Sequence, residues 1–513
     1  MKGALMVCGT ASSAGKSTFV AGLCRLLSRQ GVVVAPFKGQ NMALNSFVTS
    51  SGHEIGRAQA AQALAARVEP EVAMNPVLLK PSADAKSQVV VMGRPLGTMD
   101  AASFYRHKVQ LLPYVLAAFD ELRERFDVVV AEGAGSPAEV NLPGPDLVNL
   151  GLAAERAVPA VLVGDIERGG FFAALTGTVG LLPPRERELL GGYVVNKFRG
   201  DPRLLESGIT RMGQELGLRH LGTVPYLAVG SIDAEDSLEL GGWLRAFDGA
   251  ERAQPSGEGQ CRDADLLDVA VIRMPRLSNF TDFDPLRLES SLAVRLVGDP
   301  RLLGVPDLVV LPGTKSTVDD LTWMRRSGMD KAVVSAYQDG SVVLGICGGY
   351  QMLGHRIVDG VESATVETEG IGLLDVCTEF AEDKITTQRK GRAGTWCLGS
   401  PPVTGYEIHH GRTKVSSSCL SFAVLGWGDE EEFQEGAVSV NRRVYGTSLH
   451  GLFESDDFRR AFFFSVSEVR NKRYVPSAAS FAEHRDQHFE RLADIFEEHC
   501  DVTALFEILE SAG

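Results

Sequence analysis

The sequence predicts an α/β protein of two domains, each on a mainly parallel sheet, and three observations predict it. Short, continuously apolar runs recur along the chain, among them Lys2 to Cys8, Phe126 to Ala131 and Ser341 to Leu344. That texture belongs to strands buried on both faces. Each run feeds a glycine-bearing loop and then a helix-like segment, the alternation of crossover connections. The pattern lapses once, from Phe247 to about Leu267, where Gln, Pro, Ser, Gly and scattered charge mark a linker, and it restarts at Val269. The expected division is a first domain over 1–246, a linker over 247–267 and a second domain over 268–513 that includes C-terminal helices.

In the first domain the opening strand runs into Gly9-Thr10-Ala11-Ser12-Ser13-Ala14-Gly15-Lys16-Ser17-Thr18, and an apolar-periodic helix follows from Phe19 to Gln30. Strand before and helix after make this a phosphate-binding loop rather than a chance Gly-Lys-Ser. Gly15 and its small neighbours let backbone N–H groups face phosphate oxygens, Lys16 reaches the β- and γ-phosphates, Ser17 is placed to hold Mg²⁺, and Thr18 closes the nucleotide-binding stretch. A second strand, Val32 to Ala35, ends in a polar loop with Lys38, Gln40, Asn41 and Asn45. Open α/β sheets bind ligands at that end of their strands, so these residues suit a substrate bearing carboxylates and amides; a solvated loop is the plainer alternative. Glu54, at the start of an Ala-rich helix, is a weaker candidate near the metal. Glu132 directly follows the strand Phe126 to Ala131 and precedes Gly133, the position of a Mg²⁺-binding acid. Asp146 follows the loop Leu142-Pro143-Gly144-Pro145, where a carboxylate either caps a turn or helix or faces the substrate. Further strands, Val158 to Val163 and Gly192 to Val195, the latter ending at Asn196-Lys197, complete a sheet with helices on both faces.

The second domain centres on Gly345-Ile346-Cys347-Gly348-Gly349, where a buried strand turns sharply into a helix. Glycines flank a nucleophile in such an elbow because the turn is tight and other groups must approach closely. The N-terminal end of the following helix favours a thiolate. A buried structural cysteine is the plainer reading, and the flanking glycines argue against it. A base is offered by His450 at the end of another short strand, Tyr445 to Leu449. The strand ending at Pro312-Gly313 brings backbone N–H groups that can join that of Gly348 in an oxyanion hole, with Gly313 the candidate partner. His409 and His410 form a second histidine motif without carboxylate or cysteine at metal spacing, which favours a structural or inter-domain role. Asp383 to Gly394 reads as an exposed loop, and Phe481 to Leu509 as amphipathic helices.

A chain of 513 residues that is 44% hydrophobic and 23% charged has ample core for two domains. Its net charge of −15 argues against general nucleic-acid binding while leaving room for a local basic pocket. Eight cysteines without Cys-x-x-Cys pairing suggest reduced thiols rather than disulfides or a zinc site. The N-terminus runs straight into a functional loop and no apolar stretch approaches ~20 residues, so neither signal peptide nor membrane span is expected, and the location expected is cytoplasmic.

The elbow, the histidine strand and the Pro-Gly turn together resemble a class I (triad-type) glutamine amidotransferase domain. The resemblance implies that Cys347 forms a glutamyl thioester and releases ammonia from L-glutamine, with His450 as general base. Triad families usually carry Glu two residues after the histidine, where this chain has Leu452, and Glu454 lies further along. A Cys347–His450 dyad is therefore implied, as in the cobyric-acid-synthase branch, and the group that orients the histidine stays open. The phosphate loop is similar to that of dethiobiotin-synthetase-like ATPases, in which the residue matching Asn196 serves the adenine. Phe37 to Met42, Glu132 to Glu139, Asn196 to Asp201, Ser278 to Asp284 and Gly405 to His409 resemble the cobyric acid synthase family, in order and nearly end to end. That resemblance implies ATP- and glutamine-dependent amidation of the b, d, e and g carboxylates of adenosylcobyrinic acid a,c-diamide, a corrinoid, on the way to cobalamin. It also implies ATP and Mg²⁺ as cofactors, an acyl phosphate, Asp146 near the substrate, Glu132 and Ser17 on the metal, and a closed path for ammonia. Two rival readings stand: a synthase amidating the a and c carboxylates of cobyrinic acid, against which the loop Lys38 to Met42 argues, and a regulatory P-loop ATPase with a degenerate amidotransferase domain, against which Cys347, His450 and the Pro312-Gly313 turn argue.

Overall fold

The structure is a computed structural model that describes every residue except 84–85, 142–144, 228–265, 364–365, 427–430 and 512–513. It divides into two compact units, one of Met1–Glu235 with Arg485–Gly513, the other of Asp236–His484. Most of the linker expected at 247–267 lies outside the described residues.

The first unit carries a six-stranded parallel sheet whose strands follow the order 219–225, 190–198, 160–165, 3–9, 128–132 and 34–37. Its central strands are largely apolar because both faces are covered, while the edge strand 219–225 is partly exposed. Along the central strand Ala4, Met6 and Cys8 face one core while Leu5 and Val7 face the other. The phosphate loop leaves this strand for the helix Lys16–Arg29. A four-stranded sheet of 40–42, 77–83, 86–91 and 94–100 is added beside it.

The C-terminal helices depart from the expected division, because Arg485–Gly513 belongs to the first unit. Ala493, Phe496, Ala504, Leu505 and Leu509 fill the core beside Leu5, Phe19, Val20 and Leu23. Arg25, fully buried, pairs with Asp486 at 2.6 Å and Glu490 at 3.0 Å, and Arg29 with Asp494 at 2.6 Å. Without these helices one sheet face and the helix 16–29 would expose that apolar surface.

The second unit has a six-stranded sheet in the order 292–297, 267–272, 308–311, 342–346, 444–447 and 437–438, parallel except for the last strand. Its register pairs Leu311 with Gly345 and Ile346 with Thr447. Three segments therefore end side by side at one edge: Pro312-Gly313, Cys347 and Ser448 to His450. A second sheet is dominated by the antiparallel strands Val376–Ala393 and Pro402–Val415. The stretch Asp383 to Gly394, expected as an exposed loop, is thus strand as far as Ala393. Its polar residues alternate between the two sides of a half-exposed ribbon, a pattern that carries little hydrophobic signal but is held by the ladder to 402–415.

Candidate active sites

Cys347 occupies a backbone conformation of φ 50° and ψ −108°, which a non-glycine residue holds only when its surroundings enforce it. The enforcement is visible. The Cys347 N–H donates to the Thr447 carbonyl at 2.7 Å, and the helix Gly348–Leu353 begins at once. A side chain at Gly349 would run into the Leu311 carbonyl, and a Cβ at Gly345 would lie 2.6 Å from the backbone of Tyr350. These close approaches explain the flanking glycines.

His450 is 1% exposed and its Nδ1 lies 2.7 Å from Asp282 Oδ2, while the other oxygen of Asp282 accepts the Gly451 N–H at 2.8 Å. Burial lowers the imidazole's affinity for a proton, but the Asp282 carboxylate and then Cys347 more than offset this and push its pKa up to about 10. An imidazolium beside a cysteine is the pairing that activates a thiol nucleophile. The ring of Tyr406 stacks on that of His450, 5.5 Å between centroids, and the two residues exchange backbone hydrogen bonds of 3.0 and 2.9 Å.

The orienting group left open by Leu452 is therefore Asp282, 168 residues upstream of the histidine. Leu452 itself is fully buried in the core. Asp282 lies in a 3₁₀ turn, Phe280–Leu288, preceded by Asn279 at φ 52°. The sequence signal was an acid set between Phe280 and Phe283, too apolar a setting for a carboxylate without a partner.

The Gly313 backbone lies against His450, since a Cβ there would sit 2.6 Å from the ring's Cε1. Gly348 lies against Thr314 in the same way, at 2.6 Å from its methyl group. The two oxyanion-hole candidates thus border the nucleophile and the base. His409 bonds to the Gly411 carbonyl at 2.8 Å and Glu407 at 3.2 Å, and His410 to the Ala381 carbonyl at 3.0 Å, local contacts of a structural kind.

In the first unit, Gly15 adopts φ 92° at the start of the helix, and Thr18 lies in its first turn. Lys16 Nζ donates to the carbonyls of Ala11 and Gly135, each at 3.1 Å, arching over the loop. Glu132, 1% exposed, gathers Ser17 Oγ at 2.8 Å and Lys38 Nζ at 3.1 Å on one oxygen, and Gln62 Nε2 at 2.5 Å on the other. Ser17 and Glu132, expected as metal partners, are brought together. Their two adjacent hard oxygens fit Mg²⁺, which takes its remaining ligands from phosphate and water rather than from a protein cage. No group of three or more His, Cys, Asp or Glu able to hold a metal occurs among the described residues.

The remaining expected residues are placed as follows. Lys38 reaches the same buried Glu132 oxygen that Ser17 meets. Asn41 donates to Gln59 at 2.8 Å and is 2% exposed, while Gln40 is half-buried at the start of a short strand. Glu54 is buried and paired with Lys80 at 2.5 Å. Asn196 donates to the Ala14 carbonyl at 2.8 Å and its oxygen accepts the Lys197 N–H at 2.9 Å, so its amide braces the phosphate loop. Lys197 adds a bond to the Ser13 carbonyl at 2.6 Å. Asp146 accepts the N–H groups of Val148, Asn149 and Gly151 at 2.9–3.0 Å, so its carboxylate ties the loop to the first turn of the short helix Leu150–Glu155. Residues 142–144 of its loop lie outside the described residues. Gln62 was not anticipated; an amide in an Ala-rich helix carries no motif.

Comparison with known proteins follows the same division. Residues 5–238 match the CobQ/CobB/MinD/ParA nucleotide binding domain, and residues 268–458 the CobB/CobQ-like glutamine amidotransferase domain. Among curated relatives, a cobyric acid synthase of Frankia casuarinae is 48% identical over 99% of this chain and 97% of its own length. That of Nocardia farcinica is 48% identical over 99% and 97%, and that of Citrobacter koseri 43% identical over 99% and 99%. Matches of this identity along the whole length, over a nucleotide-binding unit and a cysteine–histidine–aspartate unit, show that the chain belongs to the cobyric acid synthase family of glutamine-dependent ligases.

Proposed function

We propose that this protein converts adenosylcobyrinic acid a,c-diamide to adenosylcobyric acid by amidating its b, d, e and g carboxylates, using ATP and glutamine in the cytoplasm. The observation that carries the reading is the Cys347–His450–Asp282 constellation in a chain that also bears a phosphate loop and matches cobyric acid synthases end to end. In the second unit, the Cys347 sulfur attacks the carboxamide carbon of glutamine, and Gly313 and Gly348 border the oxygen that gains charge. His450 passes its proton to the departing nitrogen, the C–N bond breaks and ammonia leaves. Water then cleaves the thioester to glutamate and restores the thiol. Asp282 holds the imidazole in one orientation throughout.

In the first unit, a carboxylate oxygen of the corrinoid attacks the γ-phosphorus of ATP and ADP leaves; ammonia then adds to the acyl carbon and phosphate leaves. Lys16 and the loop's N–H groups hold the phosphates, and Lys38 stands at Glu132 to meet the transferred group. Mg²⁺ bound by Ser17 and Glu132 would supply neutralisation of charge on the phosphates. Asn196 and Lys197 keep the loop in its open curve, and Asp146 keeps the following helix in place.

The test is mass spectrometry of the corrinoid after reaction with wild type and Cys347→Ala, each given glutamine or ammonium. Each acid-to-amide step lowers the mass by about one unit, so the count is direct. Wild type should add four amides from either donor, and Cys347→Ala only from ammonium. No amidation of this corrinoid by either protein would refute the substrate.

A further inference from the structure

Glu435 takes no part in the chemistry above, yet its surroundings are those of a built anchor. It is 6% exposed. Its Oε1 accepts the Ser448 N–H at 2.6 Å and its Oε2 accepts the Thr447 hydroxyl at 2.7 Å. The Thr447 hydroxyl oxygen in turn accepts the Leu449 N–H at 3.1 Å, and the Thr447 carbonyl accepts the Cys347 N–H at 2.7 Å. One carboxylate thus grips Thr447 and Ser448, and through the Thr447 hydroxyl Leu449, the segment that tethers the strained cysteine turn on one side and delivers His450 on the other.

We propose that Glu435 is a positioning residue for glutamine hydrolysis, setting the register between Cys347 and His450 through residues 447–449. The choice of a carboxylate is informative. Burial, opposed by the bonds from Ser448 and Thr447, pushes its pKa up to about 7, so the charge is costly to keep. Glutamine fills the same space and can meet the same two groups without that cost. What an ionised acceptor adds is shorter, stronger hydrogen bonds, which suit a segment that must hold a strained nucleophile. The titratable groups facing Glu435 are Glu407, whose charge opposes its ionisation, and Tyr350, whose buried hydroxyl has no hydrogen-bond partner among the described residues; Cys419 acts on Tyr350 in turn. A carboxyl raised in this way carries its charge only above about pH 7 and loses it as pH falls through that value.

This inference rests on Cys347 and His450 hydrolysing glutamine, and its test measures that step without the corrinoid. Covalent labelling of Cys347 by the glutamine analogue 6-diazo-5-oxo-L-norleucine is followed by intact mass, with glutamate release, across the pH range. Glu435→Gln should be labelled about 10-fold more slowly than wild type above neutral pH, with an unfolding temperature equal to or above that of wild type. The gap should close as pH falls below about 7, where wild-type Glu435 is itself neutral; a mere spacer would leave the ratio constant. Thr447→Val, which removes one donor and keeps the charge, should slow labelling without that pH dependence. Equal rates for Glu435→Gln and wild type at every pH, or a pH-independent ratio, would overturn the proposal. Failure of wild type itself to be labelled would overturn the glutaminase reading and this inference with it.

Discussion

The two sites lie in the same place on their sheets, at the carboxyl ends of parallel strands, and are built in opposite ways. The phosphate site is centred on one continuous stretch, residues 9–18, around which Glu132 from the adjacent strand, Lys38, Gln62, Asn196 and Lys197 gather. The amidotransferase site draws on five separated segments: Asp282, Gly313, Cys347 with Gly348, Tyr406, and 447–450. The difference follows from the chemistry. A nucleotide brings its own charges, and a loop of N–H groups with a mobile lysine adapts to them. A thiol that attacks a neutral amide must be held in one geometry against one base, so its supports are buried and come from elsewhere in the fold.

If that contrast is right, the distant support matters nearly as much as the nucleophile. Asp282→Asn should lower glutamine hydrolysis by about 1000-fold or more while leaving ammonium-driven amidation in place. It should also change stability with a defined pH dependence. The His450 pKa is raised from 6.5 to about 10, so its pairing with Asp282 stabilises the fold fully below about pH 6.5 and loses that effect as pH rises through about 10. Thermal unfolding of wild type and Asp282→Asn should therefore differ most in the acid range and converge in alkali. A variant with full glutaminase activity would break the comparison at its centre.

The phosphate site should yield a smaller effect confined to the other half-reaction. Lys16→Ala should reduce amidation from ammonium by about 100- to 1000-fold, measured by product mass, while labelling of Cys347 by the glutamine analogue proceeds. Smaller still is the effect expected of Arg25→Ala, which strips the buried partner from Asp486 and Glu490. It should cost the first unit about 1–2 kcal/mol in chemical unfolding, from the lost packing of the buried stem and its bonds to partly exposed carboxylates, with Cys347 labelled as in wild type. An unchanged unfolding midpoint would mean that the C-terminal helices are held by their apolar face alone.

Much of the molecule was legible because its signals are local. A strand entering Gly15-Lys16-Ser17, a strand entering Cys347-Gly348, and an acid following a buried strand at Glu132 each declare themselves within about ten residues, the span over which hydrophobic period and turn chemistry act. At Asp146 the sequence left two options open, and the fold supplies its carboxylate with the N–H groups of Val148, Asn149 and Gly151; Asn196, expected at the adenine, bonds the Ala14 carbonyl of the phosphate loop. The strand at 376–393 was missed because a ribbon with alternating exposure and many charged residues looks like a loop until its partner is known.

The sequence by itself marked the two mainly parallel sheets, the phosphate loop, and Cys347 and His450 as candidate nucleophile and base, since each is written in contiguous residues whose spacing suits one backbone. Only the tertiary structure decided that Asp282 orients His450, that Glu435 grips the strand between base and nucleophile, and that the last helices close the first sheet. Those are choices between partners up to several hundred residues apart, made by sheet register and by the need of each buried charge for a counterpart, and no local period records them.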